Sequence, residues 1–239
     1  MSDRELWEAQ AVWWQQGFTG GVDAEYTEQI LPLLGDYLDG ASLVLDAGCG
    51  EGQCGRYLRS RDGARSIGVD MTTSNLEAAR ARGSTALAMA ALEALPVRPG
   101  SFDAAMVVLV LEHVREWRTA LEQVVGALAP EGRLALLLNH PLLQTPNSGW
   151  IDDHILEEQY WRIGPYLVED ESLEEMEPGV VLPFFHRPLS TYLNACLALG
   201  LVLVRIDEPA PPPGFLSRAP EYPAAASIPR LLGLLFRRD

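Results

Sequence analysis

From Leu43 onward, short apolar runs alternate with stretches in which apolar residues recur at helical spacing. The runs 43–46, 65–69, 85–89, 102–110 and 132–139 read as strands, and 53–60, 73–82 and 115–128 as the helices between them. Such alternation predicts an α/β protein whose sheet is mostly parallel and covered by helices on both faces. Residues 3–37 precede this pattern and read as helical. They carry Leu6, Ala9, Val12, Trp13 and then Tyr26, Ile30, Leu33 and Leu34 around a glycine break, Phe18-Thr19-Gly20-Gly21. The stretch 140–187 interrupts the rhythm, being rich in aromatics and carboxylates, and reads as an insertion over the carboxyl edge of the sheet. A helix at 188–199 and a strand at 201–206 follow; prolines 209–213 intervene, and 228–236 reads as a last strand.

Between the first strand and its helix stands Val44-Leu45-Asp46-Ala47-Gly48-Cys49-Gly50-Glu51-Gly52-Gln53-Cys54-Gly55. An apolar run ends in a carboxylate, glycines turn the chain, and Arg56-Tyr57-Leu58 begins a helical pattern. Glycine lets backbone approach a ligand, and the N–H groups of a helix start favour an anionic ligand group. The turn therefore reads as a nucleoside cradle. Gly50, Gly52 and Gly55 have the spacing of a dinucleotide fingerprint, which alone is weak evidence. Asp46, two residues before Gly48, opposes a pyrophosphate and suits a cationic ligand group. Asp70 ends Ile67-Gly68-Val69 about 20 residues on, where a carboxylate can hold ribose hydroxyls.

Composition narrows the setting. At 239 residues and 48% hydrophobic content, with no apolar run of membrane-spanning length, the chain is expected to be globular and soluble. The N-terminus lacks signal-peptide order, and three widely spaced cysteines suggest no disulfide framework, so a reducing cytoplasm is expected. A net charge of -15 argues against a nucleic acid partner. No lysine occurs; the basic residues are all arginine and form no stripe, which reads as codon bias. Neither a membrane partner nor a metal is expected, and the chain is expected to be a monomer or homodimer.

The segments from Val44 to Gly52, Gly68-Val69-Asp70, Leu95-Pro96 with Ser101-Phe102-Asp103, Leu111-Glu112-His113-Val114 and Leu128 to Leu134 stand in an order and spacing that cover about residues 40–139. In these the chain resembles the class I S-adenosylmethionine-dependent methyltransferases, of the small-molecule branch related to ubiquinone and menaquinone C-methyltransferases. The resemblance implies a Rossmann-like seven-stranded sheet with an antiparallel last strand. It also implies S-adenosylmethionine as cofactor, with Gly48, Cys49 and Gly50 lining its methionine moiety, Asp70 and Met71 its ribose and adenine, and Val108 and Leu109 the region behind the sulfonium. Gly52 belongs to the same turn. Many relatives carry an acid where this chain has Ala91, so adenine is expected to rely on backbone at Ala91 and Leu92, with Glu93 as a possible substitute.

One domain is expected over 1–239, with an N-terminal helical lid (1–40), a cofactor-binding core (41–139), a substrate-covering insertion (140–187) and a C-terminal helix with the last strands (188–239). Ligands of open sheets bind beyond the carboxyl ends of the strands. His140 follows strand five ahead of Pro141, which restricts it to extended geometry, and it is the first candidate for a base. His113, after strand four, supports the cofactor loop or acts as a base, and His186 caps or acts; His154 reads as surface. Trp150, Tyr160, Trp161, Tyr166, Phe184 and Phe185 either roof an acceptor or form the core of a helical subdomain. Phe18 and Tyr26 are expected to close over the methionine end. The expected activity is methylation of a small-molecule acceptor, at oxygen or nitrogen in preference to carbon. An NAD-dependent oxidoreductase and a non-catalytic cofactor-binding protein are the alternatives.

Overall fold

Strand β1 (Leu43–Ala47) has four buried residues in five, the pattern of a strand covered on both faces. In the computed structural model, which describes residues 2–218 and 222–239, β1 lies well inside a seven-stranded sheet. It pairs in parallel with β2 (Arg65–Asp70) on one side, which in turn pairs with β3 (Leu87–Met89). On its other side it pairs with β4 (Phe102–Val108), which pairs with β5 (Leu128–Asn139). Residues 1 and 219–221, within the expected N- and C-terminal segments, lie outside the described residues.

Helix α1 (Asp3–Phe18) begins at a capping box between Ser2 and Glu5. Gly20 and Gly21, at φ 68° and 84°, then reverse the chain. A π-helical turn, Tyr26–Ile30, runs into α2 (Leu31–Tyr37). Three crossover helices follow: α3 (Gln53–Asp62), α4 (Thr73–Ala81) and α5 (Trp117–Ala127). Alternate residues of the strands supply opposite layers. Ala105 and Val107 of β4 join Trp117, Leu121 and Val124 of α5 in one core, whereas Ala104, Met106 and Val108 join Leu34, Tyr37 and Leu58 in the other.

The insertion is built of hairpins, so the helical-subdomain alternative does not hold. Its four strands pair antiparallel as β6 (Gly149–Asp153) with β7 (Glu158–Arg162), and β8 (Asp170–Glu177) with β9 (Val180–His186). Helix α6 (Leu189–Ala198) leads back to β10 (Leu201–Asp207) and β11 (Leu231–Arg238). β11 slots between β10 and β5, antiparallel to both, giving the order β10-β11-β5-β4-β1-β2-β3. The seven-stranded, mostly parallel fold expected from the resemblance is the one observed. The last strand starts three residues later than the apolar run, because a 3-10 turn occupies Pro223–Ser227 and Pro229 lacks a ladder donor. Among the described residues no helix is long and apolar enough to cross a membrane.

Leu136 is fully buried in the central sheet. Leu136→Ala should lower the unfolding free energy by about 2–5 kcal/mol, visible as a lower midpoint in urea denaturation with the slope retained.

Candidate functional site

Where β1 ends, the backbone N–H groups of Gly48 and Cys49 both donate to the carbonyl of Val69, at 2.8 and 3.0 Å, and draw the chain across the end of β2. The turn uses the left-handed region three times, at Gly48 (φ 78°), Gly50 (52°) and Gly52 (80°). At Gly48 a Cβ would lie 2.5 Å from a Val110 methyl, so close packing adds to the conformational demand. At Gly50 a Cβ would meet nothing within 4 Å. That open side belongs to a cleft lined by Asp46, Gly48, Cys49, Gly50, Asp70 and Met71 on the turn side. Ala91, Leu92, Val108 and Leu109 continue the lining, and the cleft encloses about 1030 Å³ with its mouth included. Gly52 is not in the lining; it stands before α3 as its left-handed N-cap.

Both strand-end carboxylates face this cleft. Asp70 Oδ2 accepts from Gly50 N at 2.9 Å, and Oδ1 accepts from the backbone and hydroxyl of Thr72 at 2.9 and 2.7 Å. Three of roughly four acceptor positions are thus used, leaving one on Oδ2. Asp46 is buried at the start of α3, and desolvation pushes its carboxyl up to about 7 against the hydrogen bond from the Gly55 N–H. Glu51, which the sequence reading passed over, is buried in the same turn. It pairs with Arg56 and, at 2.9 Å, with Arg82.

A second cavity of about 900 Å³, mouth included, adjoins the first. Trp14, Leu109 and His113 line both, so the two spaces meet at these residues. Leu109 sits at φ 55°, a left-handed conformation that costs a leucine on the order of 1 kcal/mol or more. Its N–H is held by the Leu137 carbonyl at 2.8 Å. His113 Nδ1 lies 2.7 Å from the Pro183 carbonyl. A carbonyl only accepts, so Nδ1 carries the proton and Nε2 keeps its lone pair. Burial pushes this imidazole down to about 4 and keeps it neutral. Trp7 and Phe184 meet the ring edge-on at 5.0 and 5.5 Å.

The other histidines lie elsewhere. His140 lines neither cavity: its Nε2 contacts Glu208 at 2.8 Å and its Nδ1 accepts from Leu142 N at 3.2 Å, so both nitrogens are occupied. Proline does extend the chain here, but the ring turns toward the loop after β10 instead of the cleft. His186 is buried and donates through Nε2 to the Tyr166 carbonyl at 2.8 Å, also outside both cavities. The expectation that His140 or His186 acts as base is corrected on these grounds.

The aromatic assignments are corrected as well. Trp150 and Trp161 face each other across β6 and β7, Trp150 stacks on Tyr222, and Tyr160 is exposed. The Tyr166 hydroxyl accepts from Leu189 N at 2.9 Å at the start of α6. Phe185 lies beneath the guanidinium groups of Arg115 and Arg187. Its neighbour Phe184, on the opposite side of β9, lines the second cavity instead. Tyr26 lines the first cavity, and Phe18 the second, stacked on Trp14 at 4.4 Å. Trp7 and Trp14, seven residues apart on α1, both line the first cavity, a face the i, i+7 spacing could have revealed.

Helix α1 is moored over the cleft. Glu8 accepts from Thr73 N at 2.7 Å and Ser74 N at 2.9 Å, capping α4 from outside. Gln15 donates to Asn75 Oδ1 at 3.0 Å, and Arg82 to Thr19 Oγ1 at 2.8 Å.

A glycine turn with acids at two strand ends, in a sheet whose penultimate position is taken by an antiparallel strand, is the arrangement implied by the resemblance to class I S-adenosylmethionine-dependent methyltransferases. Residues 45–136 match the methyltransferase domain family. It is 31% identical over 100 residues to an O-methyltransferase, resE, of Aspergillus sclerotiorum, and 32% identical over 106 residues to the ubiquinone/menaquinone biosynthesis C-methyltransferase UbiE of Syntrophotalea carbinolica. These matches cover 39% and 42% of this chain, and it spans only 38% and 45% of those relatives' lengths. The crystal structure of an S-adenosylmethionine-dependent methyltransferase from Mesorhizobium loti superposes with a TM-score of 0.76 at 28% identity, covering 90% of this chain and 98% of that one.

Asp46 and Glu112 are buried carboxyls, both pushed up to about 7 chiefly by desolvation. Between the ordinary carboxylate range and 7 the folded state therefore holds more protons than the unfolded chain, and stability falls as pH rises. Unfolding of the ligand-free protein in urea should show a loss on the order of a few kcal/mol between pH 5 and 8. Asp46→Asn should remove about half of that dependence.

Proposed function

We propose that this protein transfers the methyl group of S-adenosylmethionine to an oxygen or nitrogen of a small-molecule acceptor, the cofactor in the first cavity and the acceptor in the second. The observation that carries this reading is the meeting of the two cavities at Leu109 and His113. The first cavity fits the cofactor on its own features. Gly50 leaves open space where any side chain would project, Asp70 keeps a free acceptor position, and Asp46 is a buried acid that a cationic group would relieve. Ala91 and Leu92 leave room and backbone groups for adenine, and Met71 lies beside Asp70 on the wall. The cofactor, when bound, supplies a methyl group activated on a sulfonium.

The chain's own contribution is alignment, exclusion of water and a proton acceptor. Holding two reactants in line contributes about 7–11 kcal/mol to barrier lowering, and the aromatic lining from α1 keeps water out. His113 is the base in this reading. Its Nδ1–H is fixed on Pro183, so its free Nε2 can take a proton from an acceptor hydroxyl or ammonium product. Asp46 beside the glycine turn disfavours the NAD-dependent alternative, whose pyrophosphate would meet it.

Calorimetric titration should show S-adenosylhomocysteine binding and no NAD binding; the reverse result removes this function. Asp70→Ala should weaken S-adenosylhomocysteine by about tenfold or more. With methyl-labelled cofactor and a responsive acceptor, His113→Ala should lower kcat by about 10²-fold with cofactor affinity kept, whereas His140→Ala should retain turnover and lose only thermal stability. Equal losses of kcat in both variants would transfer the base assignment away from His113.

A further inference from the structure

The second cavity presents hydrogen-bond acceptors to its contents. Asp23 lines it and is only 8% exposed, yet the one hydrogen bond its carboxylate accepts is from Glu25 N, on Oδ1 at 3.1 Å. Oδ2 has no partner among the described residues. Glu174, from β8, lines the same cavity and is partly buried. Asn139 adds a third acceptor. Glu112 Oε1 already accepts from the Asn139 backbone N–H at 3.0 Å, so the same oxygen accepts from Nδ2 at 3.1 Å, and the amide oxygen is the end left for the cavity. His113 adds the lone pair of Nε2.

One cation lines the cavity, Arg230, and its charge is balanced by Glu25, which also lines it. Its guanidinium is paired with Glu25 at 2.8 and 3.4 Å and lies over the Phe215 ring at 4.1 Å. Outside the cavity, Arg218 attracts the Asp23 carboxylate weakly and donates its own hydrogen bond to the Val22 carbonyl. The charge left facing the cavity is therefore that of two carboxylates, Asp23 and Glu174. The lining also carries flat apolar rings: Trp14 stacked on Phe18, and Phe184. An anionic acceptor such as a carboxylate or phosphate would lie against a net excess of like charge, even though the Gln144 amide and Arg230 Nη1 remain as donors.

Resting on the assignment of this cavity to the acceptor, we propose that the acceptor is an aromatic or apolar amine, its ammonium held by Asp23 and Glu174 and its flat body between Trp14, Phe18 and Phe184. Hydrogen-bonded ammonium and ring then satisfy both the carboxylates and the apolar surface, which neither a neutral hydrocarbon nor an acid can do together.

Three probes of one shape and different charge separate these cases: tryptamine, 3-ethylindole and indole-3-propionate, each titrated calorimetrically into the full chain saturated with S-adenosylhomocysteine. Tryptamine should bind about tenfold or more tighter than the other two, the scale of a charge-assisted hydrogen bond. Glu174→Gln and Asp23→Asn should each reduce that preference about threefold or more, with S-adenosylhomocysteine affinity unchanged as the sign of an intact fold. Equal affinities, a preference for the propionate, no binding of any probe at millimolar concentration, or a preference untouched in both variants overturns the proposal. Because the product cofactor is titrated first, its failure to bind sinks the methyltransferase reading, whereas its binding without an amine preference sinks only this one.

Discussion

Two backbone N–H groups converging on one carbonyl, those of Gly48 and Cys49 on Val69, hold the turn on which the site depends. Without that pairing β1 would run straight into its crossover helix and no crevice would open beyond β1 and β2. The geometry demands left-handed backbone, hence glycine, and it brings the Gly50 N–H onto Asp70. Asp70 in turn fixes Thr72 at the start of α4. A single local constraint therefore aligns the ends of two strands and the starts of two helices around one space. Ligand binding at such a place costs little reorganisation, because the backbone has been ordered by folding itself.

Buried charge in this chain is handled largely by arginine. Arg56 and Arg82 meet Glu51 within the turn, and Arg187, itself buried, donates to the carbonyls of Leu111 and Val114 that flank His113. Arg133 spans the carbonyls of Tyr37 and Asp39 in the same manner. A planar fork satisfies two acceptors at fixed separation, which a single ammonium point does less well. The absence of lysine, which reads from the sequence as codon bias, thus coincides with a structural use: guanidinium groups tie carbonyls that no ladder reaches.

The sheet was legible because strand and helix periods are local properties; Asp46, Gly48 and Gly50 share one short segment, and Asp70, 20 residues beyond Gly50, ends the neighbouring strand that the same periods mark. The second cavity was not. Asp23, Asn139, Glu174 and Arg230 come from four distant segments, and only the fold makes them neighbours. The aromatic insertion misled for a different reason. Its rings were counted, but a strand turns alternate residues to opposite sides, so Phe184 reaches the cavity and Phe185 does not. His140 shows the limit of a backbone argument: Pro141 restricts the residue before it, yet Glu208, 68 residues away, decides where the imidazole points.

The mooring of α1 has a kinetic meaning. Trp7 and Trp14 line the crevice, and polar contacts through Glu8, Gln15 and Arg82 join the α1 segment to α4. Such ties are individually weak and exchange with water easily, while the indole rings beneath them resist wetting. On the proposed function, release of these ties together would make passage of a nucleoside in or out an event separate from the transfer of the methyl group. The tempo of turnover would then be written in the first eighteen residues, well away from the glycines that define the crevice.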